Sequence, residues 1–365
     1  MKIYLVGGAV RDQLLGLHIK EKDYVVVGAT VEQMLSLGFR QVGKEFPVFL
    51  HPKTYAEYAL ARAERKVRPG YQGFVFDTSP NVTLEEDLKR RDLTINAMAY
   101  DEENKELIDP FHGKVDIEKR LLRHVSKAFA EDPVRILRVG RFLGRFAHLG
   151  FVVEPETLQL MRQMVDAGEV NALVPERVWK ELERALQEKS SWLFFRILDE
   201  CHALPILFPE LNINGDGIKA LQLNHPDKRI RFAVLLHEQV EMAKIVCQRY
   251  RVPNEFRHLA LLTAQFHADF IDLADTDADL LLSLLSRVDA FRRSKRFMLF
   301  LEACACIAEI KQTSFNRAWW QQLAHEANQI DVPSLIDAGF KHRALVEQIY
   351  QLRKQKINTF LTTNA

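Results

Sequence analysis

Hydrophobic positions fall into two regimes along the chain. Up to about residue 125, short apolar runs alternate with polar breaks: IYLV, YVVVG, VFLH and YALARA. Runs this short, and this rich in Val, Ile and Tyr, predict strands with short helices between them. From there on the apolar period lengthens to that of a helix, as in PERVWKELERALQEKSSWLFFRILDEC and DADLLLSLLSRVDAFRRSKRFMLFLEACACIAEI. The expected architecture is a head at 1–125 built on a small mixed α/β sheet, a helical neck at 126–212, and a helical body and tail at 213–365. Pro, Asn and Gly gather in FPELNINGDG, Phe208 to Gly217, which marks a softer joint. No internal repeat or low-complexity tract interrupts the pattern.

A chain of 365 residues is long for one core, in keeping with more than one domain. Lys and Arg number 50 against 49 Asp and Glu, so the overall charge excludes no partner and local clusters must carry that argument. Cys201, Cys247, Cys304 and Cys306 lack zinc-site spacing and read as reduced packing residues. Met1 leads almost directly into a predicted strand, so no signal peptide is expected. No apolar run nears the ~18 residues of a membrane span. The expected compartment is the cytoplasm, with no membrane association and no protein partner implied.

Chemistry concentrates at the start. IYLV ends in Gly7-Gly8, a short helical stretch AVRDQLL follows, and then EKDYVVV sets Glu21 and Asp23 two apart before an apolar run. If that run is extended, the two carboxylates share a face and repel one another unless a cation lies between them. Hard oxygen ligands suit Mg²⁺, which takes one or two carboxylates together with substrate phosphates. Glycines let a backbone approach a phosphate closely, and Arg11 adds a cation at the same place. The plainer reading is a strand–helix corner with exposed acids.

Two further clusters follow. TLEEDLKRRDLTINAMAYD packs Lys89, Arg90, Arg91 and Asp92 ahead of an apolar stretch, which suits a polyphosphate or, equally, a solvated helix face with Glu86 pairing Arg90. FAEDPVRILRVGRFLGRF brings Asp132, Arg135 and Arg138 onto overlapping helix faces. Asp132 before Pro133 is a good helix start, yet arginines at 135, 138, 141 and 145 exceed what solubility requires.

Taken in order, LVGGAVRD, the acid-x-acid EKD, RRDLTINAMA, IDPFHG, RLLRHV and EDPVRILR resemble the CCA-adding enzymes (tRNA nucleotidyltransferases), of the class shared with bacterial poly(A) polymerases. The likeness is nearly continuous from Met1 to about Leu211 and weaker in RFAVLLHE, CQRYRVPNEFRHLALL and IDAGFKHRALVEQI. It implies an α/β nucleotidyltransferase head followed by an all-α neck, body and tail. It also implies template-independent addition of C, C and A to the tRNA 3′ end from CTP and ATP, with two Mg²⁺ ions. The alternatives are poly(A) synthesis, partial CC- or A-addition, or a catalytically impaired tRNA-binding protein. Carried over by motif, Gly8 and Arg11 hold the triphosphate, Glu21 and Asp23 the metals, and Glu57 is the third strand acid. Arg91 contacts the nucleotide with Asp92 near its ribose, Asp132 and Arg135 read the base, and Arg138 and Arg141 line its pocket. Arg65 to Asp77 resembles the flexible loop linked to the switch from C to A.

Donor and acceptor logic agrees with the implied base reading. A carboxylate accepts and a guanidinium donates. Cytosine and adenine each offer an amino donor beside a ring-nitrogen acceptor, so an Asp–Arg pair satisfies both. Guanine and uracil reverse the pattern and leave buried groups unpaired, at about 1–3 kcal/mol each. Two departures stand out. Glu21 occupies a position where the family usually carries Asp. In the tail, His237 is followed by Glu238 where many relatives carry the His-Asp pair of a phosphohydrolase, so that site reads as lost and the tail as a tRNA-binding scaffold without a metal. RRSKR, DKRIR and LRKQK are the basic clusters available there for RNA phosphates.

Overall fold

A computed structural model describes residues 1–42, 48–66, 74–273 and 277–363. The chain forms two compact units, Met1–Pro209 and Glu210–Ala365. The centre of the expected flexible loop, 67–73, lies outside the described residues.

The first unit opens with β1 (Lys2–Val6), α1 (Gly8–Leu14), β2 (Asp23–Val27), α2 (Val31–Ser36), β3 (Arg40–Gln41), β4 (Val48–Leu50), β5 (Glu57–Leu60), β6 (Ala63–Lys66) and β7 (Phe74–Asp77). It continues through α3 (Leu84–Lys89), β8 (Ala99–Asp101), β9 (Glu106–Ile108), α4 (Gly113–Lys119) and the short β10 (Leu121–Leu122). Then come α5 (Val134–Phe146), β11 (Val152–Val153), α6 (Pro155–Asp166), α7 (Pro175–Ala185), α8 (Trp192–Glu200) and α9 (Leu204–Leu207). Among the described residues the main sheet runs β3-β4-β5-β2-β1-β8-β9. Its neighbours are antiparallel except β2 and β5, which run parallel.

Both sheet faces are covered, which explains why YVVV reads as one apolar run rather than an alternation. Val25 packs with Tyr4, Val6, Leu88 and Ala99, while Val26 packs on the other face with Met34, Phe49 and Leu60. Local signals set the helix ends. Thr30 with Gln33, and Thr83 with Glu86, form reciprocal capping boxes on α2 and α3. Glu86 is therefore engaged at the cap, and Arg90 pairs with Asp87 instead of the Glu86 expected from spacing. Asp109 accepts from the N–H groups of Gly113 (2.7 Å) and Lys114 (2.9 Å), fixing the start of α4.

The second unit holds α10 (Asp216–Ala220), α11 (Lys228–Leu235), α12 (Val240–Arg249), α13 (Asn254–Ile271), α14 (Ala278–Arg287), α15 (Ser294–Lys311), α16 (Arg317–Ala327), α17 (Val332–Asp337) and α18 (His342–Thr363). Phe270 sits in its core against Trp320 (centroids 4.3 Å apart) and Phe300 (4.9 Å). The two long runs of helical period are each divided into two helices. α14 and α15 are separated at Asp289, whose φ is 58°, and α7 and α8 by the turn at 187–191. His237 lies outside the helices, in the turn between α11 and α12, although RFAVLLHEQVEMAKIV reads as one apolar helical stretch. Among the described residues no helix is long and apolar enough to cross a membrane.

His237 and His267 form a buried edge-to-face pair with centroids 5.0 Å apart, and their Nδ1 atoms face the carbonyls of Val234 (2.7 Å) and Thr263 (2.9 Å). Burial, then the neighbouring His237, pushes the pKa of His267 down to about 4, and burial lowers that of His237 as well.

Two predictions follow from these contacts. A Cβ at Gly113 would sit 2.3 Å from the carbonyl oxygen of Thr94. Gly113→Ala should therefore cost about 1–3 kcal/mol, as overpacking does, and lower the melting temperature; an unchanged melting curve would show that the Thr94 turn yields freely. The histidine pair gives the second. Because His267 takes up a proton more readily when unfolded, stability should fall as the pH drops from about 6.5 towards 4. The melting temperature should decline more steeply between pH 7 and 5 in the wild type than in His267→Met, and parallel profiles would contradict this.

Candidate active site

The register of the sheet decides which acids meet. β1 and β2 pair so that Val6 lies opposite Asp23, which sets the Gly7-Gly8 corner beside that carboxylate. β2 and β5 pair so that Asp23 lies opposite Glu57. Glu21 falls two residues before β2, exposed and outside the ladder, so the shared strand face expected for Glu21 and Asp23 is not formed. Burial raises the pKa of Asp23, Glu57 and Glu21 add to that, and Arg91 opposes it. A carboxylate crowded by like charge favours a cation. Among the described residues, no three His, Cys, Asp or Glu side chains converge closely enough to cage a metal. Asp23 and Glu57 supply the two hard oxygen ligands that an ion shared with substrate phosphates takes, so the donor set fits.

Beside them opens a cavity of about 820 Å³. Among the described residues its lining brings together Gly7, Gly8, Arg11, Asp23, Arg91, Asp92, Asp132, Arg135, Arg138 and Arg141, and it omits Glu21 and Glu57. Ten cationic side chains line it against four acidic ones. That excess suits a polyanion.

The cations are held in place by buried partners. Asp92 accepts from Arg138 Nε at 2.6 Å, from Asn96 Nδ2 at 3.0 Å and from the Leu93 N–H at 2.8 Å. These contacts overcome its burial and hold its pKa well below the ordinary carboxylate range. Arg141 Nε donates to Glu181 at 2.6 Å, and Arg145 bonds Asp12, which also takes Arg11. Arg90 and Arg91 both bond Asp87, which is wholly buried. Beneath the arginines lie Phe142 and Phe146: Arg141 sits 4.3 Å from the first ring and Arg11 4.9 Å from the second.

Two placements differ from the implied roles. Asp92 is enclosed by Arg138 and Asn96, so its carboxylate serves first to anchor α5 to the head. Arg135 directs its guanidinium at the carbonyls of Ala128 and Arg90 rather than at Asp132. Arg145, Arg177, Lys180, Glu181 and Arg184 also line the cavity, and sequence reasoning named none of these as a site residue. A signal was present for Glu181. Val178, Glu181, Leu182 and Ala185 form the i, i+3, i+4, i+7 stripe of α7, and an acid on a buried stripe demands a partner.

Residues 3–123 match the family described as Poly A polymerase head domain, and residues 150–213 the one described as Probable RNA and SrmB- binding site of polymerase A. The fold and pocket thus define a nucleotidyltransferase of that class. A CCA-adding enzyme of Coxiella burnetii is 49% identical over 99% of this chain and 96% of its own length. A multifunctional CCA protein of Thioalkalivibrio sulfidiphilus is 48% identical, covering 98% of each chain in an alignment of 402 positions, longer than this chain itself. In three dimensions the chain is similar to a Bacillus stearothermophilus CCA-adding enzyme solved in complex with CTP, at TM-score 0.69, 23% identity, and 98% and 89% coverage. The chain belongs to the CCA-adding enzymes, which are tRNA nucleotidyltransferases.

Gly7 provides a direct probe of the pocket. Its φ is 69°, and a Cβ there would lie 2.8 Å from Arg91 Nη1. Gly7→Ala should strain the corner by about 1–3 kcal/mol and displace Arg91, lowering kcat/KM for nucleotide addition at least about tenfold. A near-normal kcat/KM would show that neither the corner nor Arg91 is needed.

Proposed function

We propose that the chain completes tRNA 3′ ends by adding C, C and A from CTP and ATP, without a template, using two Mg²⁺ ions held by Asp23 with Glu57. The observation that carries this reading is the paired register of Asp23 and Glu57 beside a cavity walled by arginines. Nucleotidyltransferases of this family use divalent metals. When bound, such ions activate the attacking 3′ hydroxyl and neutralise charge on the departing pyrophosphate.

The residues around them do the rest. Gly8, Arg11 and Arg91 receive the triphosphate, with the backbone at the glycine corner allowing close approach. Arg138 and Arg141, immobilised by Asp92 and Glu181, present fixed positive charge that needs no reorganisation as negative charge shifts to the leaving group. Asp132 accepts from the amino group of C or A. The RNA 3′ oxygen attacks the α-phosphorus, the α–β bridging bond breaks, and pyrophosphate leaves. In the second unit Arg292, Arg293 and Arg296 gather around Asp289, leaving net positive charge for an RNA backbone. These substrates suit action in the cytoplasm.

Purified protein given tRNA lacking its last three nucleotides should incorporate C and then A, and neither U nor G. Long A tracts would instead indicate poly(A) synthesis, and no incorporation an RNA-binding protein. Asp23→Asn should abolish addition of both nucleotides while tRNA binding, followed by gel shift, changes less than about twofold, well under 1 kcal/mol. Normal addition by Asp23→Asn would remove the metal assignment.

A further inference from the structure

Asp132 does not present a bare carboxylate. Arg177, from α7, donates Nη1–H to Oδ1 at 3.0 Å and Nη2–H to Oδ2 at 2.7 Å. The Val134 N–H also donates to Oδ1, at 3.1 Å. Arg135, three residues further on, is 7% exposed and turned to the Ala128 and Arg90 carbonyls. The guanidinium that meets Asp132 therefore comes from a different helix, and both side chains line the cavity.

A carboxylate offers about four lone-pair sites, two on each oxygen. Arg177 takes one on each oxygen, and Val134 takes the second on Oδ1. Oδ2 alone keeps acceptor capacity. We propose that Arg177 is a positioning residue for base selection: with the Val134 N–H it clamps Asp132 so that a single acceptor, Oδ2, faces the incoming base. This rests on the reading of Asp132 as the base acceptor. The amino group of cytosine or adenine donates to Oδ2, whereas the carbonyl of uracil or guanine brings a lone pair against a lone pair. A carboxylate free to rotate could turn aside from that carbonyl or recruit water, and discrimination would fall. The bidentate clamp prevents this because two parallel bonds fix both position and plane.

The test compares kcat/KM for all four nucleoside triphosphates on tRNA lacking its last three nucleotides, with melting curves to confirm folding. Arg177→Met should lower the CTP-to-UTP and ATP-to-GTP ratios about tenfold, the worth of one hydrogen bond. Arg177→Lys, with a cation but no fork, should fall between Met and wild type. Because Arg177 acts through Asp132, Arg177→Met should change the ratios no further in an Asp132→Ala background. Wild-type ratios in Arg177→Met, with reduced ratios in Asp132→Ala, would make Arg177 merely structural and overturn the proposal. A further drop on adding Arg177→Met to Asp132→Ala would mean that Arg177 touches the base itself, which also overturns it. Unchanged ratios in Asp132→Ala would remove the base-acceptor reading and this inference together.

Discussion

The buried carboxylate of Asp92 joins the sheet-bearing head to the helices that follow it. It lies on the segment leading into β8 and bonds Arg138 on α5, 46 residues away. Removing one partner of such a pair strands the other charge, at a cost of about 3–5 kcal/mol. From this point two chains of contacts spread. One runs from Arg138 to Glu181 and Arg141, tying α5 to α7. The other runs from Asn96 to Arg11 and Asp12, and on to Arg145.

The consequence is a cationic wall that is rigid before any substrate arrives. Like charges this close repel, and three buried acids, Asp92, Asp12 and Glu181, offset part of that repulsion. The remaining excess is what a triphosphate neutralises. Stacking on Phe142 and Phe146 adds to the rigidity, since each planar guanidinium lies over an aromatic face. A preorganised wall contributes to catalysis because its dipoles and charges need not turn during the reaction.

Much of this was legible in the chain. Short apolar runs set the head apart from the helical periodicity of the remainder, and the ordered motifs resembled the family. Residue type and spacing marked Gly8, Asp23, Arg91, Asp132 and Arg138 as candidates, the family resemblance supplied their implied roles, and the fold brings them around one cavity. What stayed hidden depends on side-chain direction. The strand-face argument for Glu21 presumed an extended chain that begins only at Asp23, whereas the partner of Asp23 is set by a ladder with Glu57, 34 residues on. Likewise the i+3 spacing of Asp132 and Arg135 places them on one helix face but does not say where a guanidinium with five donors finds its acceptors. Arg177 meets Asp132 only because α7 returns beside α5, a packing that no local pattern encodes.

The central claim is that the Asp92–Arg138 tie forms the nucleotide pocket, and a double-mutant cycle on CTP binding to the protein alone tests it most directly. Asp92→Asn and Arg138→Met should each weaken CTP binding, and the double variant should be little worse than either single one. That would give a coupling of about 1–3 kcal/mol. Losses that simply add, with no coupling, would mean that the two residues act separately and that the pocket does not depend on their tie.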